Sequence, residues 1–254
     1  MHVREAALLA CAAFFAGALN SVAGGGSFLA FPALLFSGIS PIAANATNTV
    51  ALWPGTVASV FAYRRELRRR DVWKRLGPLF AVTVVGSIAG ALLLLKTPEK
   101  TFVRLIPWLL GAATALFAFG ARLTAPLRER LERRAGGLAV VGAPALPLAV
   151  AISLGYFGAG AGILMLALLA IMGMENIHTM NAFKGLLGAC ANGTAVVTFI
   201  IAGKVVWPQA LLMIAAAMAG GYGGASLAQR VDPKRIRWLV IATGCTMTLY
   251  FSLR

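Results

Sequence analysis

Apolar runs about as long as a bilayer is thick constrain this chain more than any other feature. Residues 42–62, 76–95, 102–121, 137–154, 179–202, 207–228 and 236–253 approach or exceed the roughly 20 residues that carry a helix across about 30 Å of hydrocarbon. Composition agrees: 59% of the 254 residues are hydrophobic and 12% are charged, about half the charged share of a soluble domain. The fold class predicted is all-α, a polytopic membrane protein.

The placement of charge decides what the net +15 means. Arg64, Arg65, Arg68, Arg69, Arg70, Lys74 and Arg75 crowd residues 63–75, and five more arginines occupy 121–135. Positive charge between spans marks a cytoplasmic loop, so both segments are expected on the cytoplasmic side of a prokaryotic inner membrane. Membrane lipid is then a partner and nucleic acid is not. Two crossings separate the loops, and the same count puts the C-terminus inside. The connector around Arg230, Lys234, Arg235 and Arg237 would then lie outside, against the charge rule.

Cys11, Cys190 and Cys245 lie within apolar segments and form no C-x-x-C spacing, and His2 and His178 are the two histidines. No metal, redox group or other cofactor is expected. No P-loop is present to couple ATP. Carboxylates sit near span edges, which leaves no intramembrane acidic relay. A membrane-embedded enzyme would have to work with Glu175 and His178, a thin set. A non-transporting assembly or sensor protein is the other alternative.

The halves repeat. AGGGSF at 23–28 corresponds to AGAGIL at 159–164, and NATN at 45–48 to NAFK at 181–184, both offset by 136 residues. Gly24 thus matches Gly160, Gly26 matches Gly162, Asn45 matches Asn181, and Lys184 takes the place of Asn48. GSIAGA at 86–91 recurs as GGYGGA at 220–225. The expected organisation is a first transmembrane repeat at 1–121, a basic linker at 122–136 and a second repeat at 137–254. Arg4 and the apolar run ending near residues 16–18 look like a signal peptide, but the repeat needs this segment retained.

Each half reads as one glycine-interrupted unit followed by three spans, about eight transmembrane helices in all. An even number per half predicts parallel repeats about an axis along the membrane normal. As one helix, residues 5–36 would measure about 48 Å, so the unit must tilt, break or re-enter. The glycines favour a break, and the same holds for 142–172.

The glycine-rich broken segment, PIAANATN at 41–48, the basic loop, and GAGxG and NAxK in the second half resemble the TauE/SafE family of sulfite and organosulfur exporters. The resemblance covers about Phe14 to Phe251. It implies a transporter whose substrate is a small anionic organosulfur compound, sulfite or a sulfonate. Site residues carry over only at the matching glycines and the two asparagine motifs.

The residues themselves point the same way. A helix that restarts after glycine presents free N–H groups and the positive end of its dipole, which suits an anion. Gly24, Gly25, Gly26 and Ser27 would form one such start, Gly160 and Gly162 the other. Close helix packing is the competing use of these glycines, and the expected one for 86–91 and 220–225. Asn45 and Asn48 share a helical face with Thr56 and Ser59, as Asn181 and Lys184 do with Gly188 and Asn192. Bridging amides are the plainer role for the asparagines. Lys184 lies within an apolar span at a cost of roughly 2.5–3.5 kcal/mol at the centre. It faces an anion cavity, snorkels to the surface or pairs with Glu175.

Overall fold

The computed structural model describes residues 2–22, 25–62, 67, 70–135, 145–172, 174, 177–228 and 233–253. Among them the regular structure is helical: α1 (Val3–Val22), α2 (Ser27–Phe36), α3 (Pro41–Ala62), α4 (Arg70–Lys96), α5 (Glu99–Ala135), α6 (Ala145–Tyr156), α7 (Ala161–Ile171), α8 (Ile177–Ile201), α9 (Trp207–Ala228) and α10 (Pro233–Ser252). Within these helices Val3–Asn20, Leu76–Lys96 and Thr179–Ile201 are long and apolar enough to cross a bilayer unaided. Val85, Leu93, Val197, Leu211 and Met218 project outward, as apolar side chains do when the solvent is lipid.

Side-chain neighbours fix the direction of each helix. Glu5 meets Gln209, Phe14 meets Gly220 and Gly17 meets Gly221, so α1 and α9 run parallel. Thr47 Oγ1 accepts from the Val206 N–H at 3.0 Å, and Val50 packs with Ala210, which makes α3 parallel to α9. Gly86 lies against Leu148 and Ala151, and Gly90 against Ile152 and Tyr156, so α4 and α6 share a direction. Trp73 meets Phe183, and Ser87 Oγ donates to the Ala191 carbonyl at 2.6 Å, adding α8 to that pair. Across the two groups the order reverses. Val50 packs with Val196 and Trp53 with Gly193, so α3 and α8 are antiparallel. Gly111 meets Thr248 and Gly244 meets Thr114, so α5 and α10 are too.

These directions correct the expected topology. Because α1 and α3 both descend, α2 must return the chain between them, and Gly26 folds back against the Ala16 carbonyl and Asn20. The α1/α2 pair is a hairpin that enters and leaves on one face. The α6/α7 pair repeats this from the other face, since α6 and α8 both ascend. At 10 and 11 residues, α2 and α7 reach only about 15 Å, half the hydrocarbon. Five helices alternate in direction in each half, an odd number, and the repeats are therefore inverted rather than parallel. Trp53 Nε1 donates to the Ala189 carbonyl at 2.9 Å, and the two positions are 136 residues apart, the repeat offset itself. Equivalent positions touch only where the axis passes between them, so it runs between α3 and α8 at this contact.

The inverted order also removes the conflict in the charge pattern. The ends of α3, α5 and α9 and the starts of α4 and α10 come to one face, and with them the basic positions 70, 74, 75, 234, 235 and 237. The C-terminus lies on the opposite face with the N-terminus, contrary to expectation. The segment expected as a linker is helical through Ala135, the end of a 37-residue α5. At about 55 Å, that helix overshoots the hydrocarbon by about 25 Å.

Each hairpin is held by the opposite half. The pairs α1 with α9 and α4 with α6 exchange when the halves are swapped, as do α4 with α8 and α9 with α3. Backbones meet at Gly17 with Ala217, Gly220 with Phe14, Gly90 with Ile152 and Gly155 with Ser87, close approaches that small residues allow. The packing expected for 86–91 and 220–225 holds at Gly86, Gly90 and Gly220.

Two outcomes are expected. In a variant freed of its native cysteines, Leu67→Cys and Leu253→Cys should label with a membrane-impermeant maleimide from opposite sides; labelling from one side would restore the parallel arrangement. Gly90→Val should drive α6 off α4 at a cost of about 1–3 kcal/mol, read as a lowered unfolding midpoint in detergent.

Candidate functional site

The two chain reversals form the site's floor. At the first, Gly25 and Gly26 are buried, and Gly24 lies outside the described residues. The chain tightens into α2 through Phe28 N–H to the Gly25 carbonyl (3.1 Å) and Leu29 and Ala30 N–H to the Gly26 carbonyl (3.1 and 3.2 Å). At the second, the Phe157 and Gly158 N–H groups both return to the Ser153 carbonyl. Gly158 and Gly160 then take φ of 73° and 72°, a left-handed conformation that costs a residue with Cβ roughly 1–2 kcal/mol. The first N–H groups of α2 and α7 lack partners within their helices, and the dipole ends beside them are positive.

A side chain from the next helix covers each start. Asn48 Nδ2 donates to Ser27 Oγ at 3.1 Å over the first residue of α2. In the other half the stem of Lys184 crosses the start of α7, where a methyl on Gly162 would sit 3.7 Å from Lys184 Cδ. Positions 48 and 184 are repeat equivalents. Each lies five residues before its partner on the axis, Trp53 or Ala189, and so about 8 Å from it along the helix. The structure thus brings Asn48 to Ser27 and Lys184 to Gly162 as two half-sites on opposite sides of the axis.

The second asparagine of each motif does different work. Asn45 Nδ2 donates to the carbonyl of Tyr156, the last residue of α6, at 3.1 Å, tying the second hairpin to α3. Asn181 Oδ1 accepts from Lys184 Nζ at 3.0 Å, orienting the ammonium. Asn45 and Asn48 are 1% and 2% exposed, and the Oδ1 atom of each has no hydrogen-bond partner. Asn181 and Lys184 are half-buried. Lengthwise the polar stripe fades, since Thr56 Oγ1 turns back to the Leu52 carbonyl. The Ser59 side chain lies outside the described residues, as do Glu175 and the side chain of His178. Among the described residues no three His, Cys, Asp or Glu side chains gather to hold a metal.

Several participants were not singled out from sequence. Gly17 and Gly155 anchor the hairpins, and Trp53 marks the axis. The last was open to discovery, because Trp53 and Ala189 stand at the repeat offset. Tyr156 contributes a backbone carbonyl, which leaves no trace in residue type. Gly160 serves the turn, its backbone held by Ala113 on α5, whereas Gly162 leaves room beside Lys184.

The family model described as "Sulfite exporter TauE/SafE" matches residues 9–251. The chain is 28% identical over 246 residues to a "Probable membrane transporter protein" of Haemophilus influenzae, covering 95% of this chain and 92% of that one. It is 30% identical over 241 residues to "Probable membrane transporter protein YfcA" of Escherichia coli, covering 93% and 85%. A "Probable membrane transporter protein ORF9" from Sinorhizobium sp is 28% identical over 244 residues, covering 96% and 90%. No solved structure is a significant match.

The two glycines of the second reversal should respond oppositely to one methyl group. Gly160→Ala meets both the left-handed backbone and, at 2.9 Å, Ala113 Cβ, and should lower stability by at least about 1–2 kcal/mol. Gly162→Ala should leave the unfolding free energy within about 0.5 kcal/mol of the parent, as an unstrained substitution does. Thermal unfolding of the two purified variants checks both values.

Proposed function

The chain belongs to the sulfite exporter TauE/SafE family, and from that premise we propose that it exports small anions, sulfite, sulfonates or related organosulfur compounds, across a prokaryotic inner membrane. One observation carries this reading: repeat-equivalent residues Asn48 and Lys184 cover the starts of two half-length helices whose positive ends lie inside the membrane. Broken helices in corresponding positions of two repeats are where transporters bind substrate. The site takes an anion through the N–H groups at Ser27 and at the start of α7, with Lys184 supplying the formal charge. Gly25 and Gly26 let the substrate approach the backbone of the first reversal.

The two half-sites differ in charge. Lys184 lies in the half of the membrane nearer the basic connectors, which the arginine bias assigns to the cytoplasm. An anion entering from that side meets the ammonium first and leaves past the uncharged Asn45 and Asn48. With the interior negative, each exported charge gains about 2.3 kcal/mol per 100 mV, so export needs no coupling ion.

Lys184→Met keeps the apolar stem, removes the charge and relieves its burial. The protein should remain folded and inserted while sulfite counterflow in proteoliposomes falls at least about tenfold, equivalent to about 1.4 kcal/mol. Lys184→Arg should retain partial flux with changed reach and hydrogen-bond geometry. Normal flux in a folded Lys184→Met variant would show that the lysine merely snorkels.

A further inference from the structure

Asn45 and Asn48 offer more than an anion requires. An oxyanion needs donors, and the start of α2 supplies them through the Ser27 N–H and hydroxyl. Both amide oxygens are acceptors, both are at least 98% buried, and neither has a donor. The orientation of Asn45 follows from its partner: the Tyr156 carbonyl can only accept, so Nδ2 faces it and Oδ1 faces away. Asn48 sits three residues on, where side chains share a helix face about 5–6 Å apart, and its Nδ2 is taken by Ser27 Oγ. Buried acceptors normally have donors, and here two adjacent ones at a proposed substrate site have none.

We propose that the first half-site recognises an oxyanion that carries its own hydrogen-bond donor, with the amide oxygens of Asn45 and Asn48 accepting from a hydroxyl or ammonium group while the N-terminal end of α2 holds the charged oxygens. This rests on the anion-transport reading and adds a selectivity that reading does not contain. A sulfonate with a hydroxyl or amine two carbons from sulfur has the length to place its donor at the asparagines with its oxygens at Ser27. Its alkyl isostere leaves both acceptors dry. Sites built to bond a polar group discriminate strongly against analogues that lack it. A bare cation fits less well, because the positive end of α2 stands beside Asn48.

The test measures inhibition of sulfite counterflow in proteoliposomes by ethanesulfonate, 2-hydroxyethanesulfonate and 2-aminoethanesulfonate. The unmodified protein should be inhibited by the hydroxyl and amino compounds at concentrations at least about tenfold lower than by ethanesulfonate, the scale of one buried acceptor left unsatisfied. Asn48→Asp keeps the contact to Ser27 with the hydroxyl now donating, and adds a charge. It should shift preference towards the amino over the hydroxyl compound by at least about fivefold, the scale of one added charge-assisted bond. Equal inhibition by all three sulfonates, or by none, with sulfite flux intact would overturn the donor requirement, as would an unchanged amino-to-hydroxyl ratio in folded Asn48→Asp. Absence of sulfite flux in the unmodified protein would instead sink the transport reading beneath it.

Discussion

A chain that turns round inside a bilayer leaves backbone groups where water cannot satisfy them, and the rest of this architecture follows from meeting that cost. Irregular backbone survives at such depth only inside protein or beside a wet cavity. Here the reversals at Gly25–Gly26 and Phe157–Gly160 are enclosed by α1, α3 and α5. The Gly25 and Gly26 carbonyls accept from the Phe28, Leu29 and Ala30 N–H groups, and the Ser153 carbonyl near the end of α6 accepts from Phe157 and Gly158. What stays open at the start of α2 is the Ser27 N–H, beside the positive end of the dipole that has affinity for negative charge.

Enclosure at that depth demands close contact, which explains where the glycines lie. A hairpin wedged against a crossing helix fits only if backbones approach within the space of a side chain. Gly17, Gly90, Gly155 and Gly220 provide this, two in each half. Asn45 extends the same logic by closing the end of α6 with a side-chain bond from the other half. Binding and packing are therefore not rival uses of the small residues. Gly26 belongs to both, since its missing Cβ permits the Ala16 contact that places Ser27 beneath Asn48.

The residues of the candidate site could be paired from sequence, and their orientation could not. The 136-residue offset paired Gly26 with Gly162 and Asn48 with Lys184, and the structure puts each member over or at the start of a half-helix. Hydropathy records how long an apolar stretch is and not whether the chain reverses within it. Residues 5–36 were thus consistent with one crossing or with none, and that single choice reversed the parity of the repeat. The charge pattern carried the missing information. Lys234, Arg235 and Arg237, at the start of α10, break the arginine rule in a parallel arrangement and obey it in an inverted one. Tyr156 escaped notice for another reason: its role belongs to its carbonyl and to its place as the last residue of α6.

The interlocking of the hairpins bears on how the protein is made. The α1/α2 hairpin leaves the ribosome first, yet its main support is α9, almost a full chain length later; Gly17 has no Ala217 to meet until nearly everything else exists. The second hairpin emerges when α4 is already in place. During synthesis the first reversal therefore waits, incompletely enclosed, through the insertion of seven further helices, and its closure by α9 is a late contact between residues distant in sequence. Such long-range contacts are slow to form and leave partly folded chains exposed. Maturation of this transporter thus ends where its chain began.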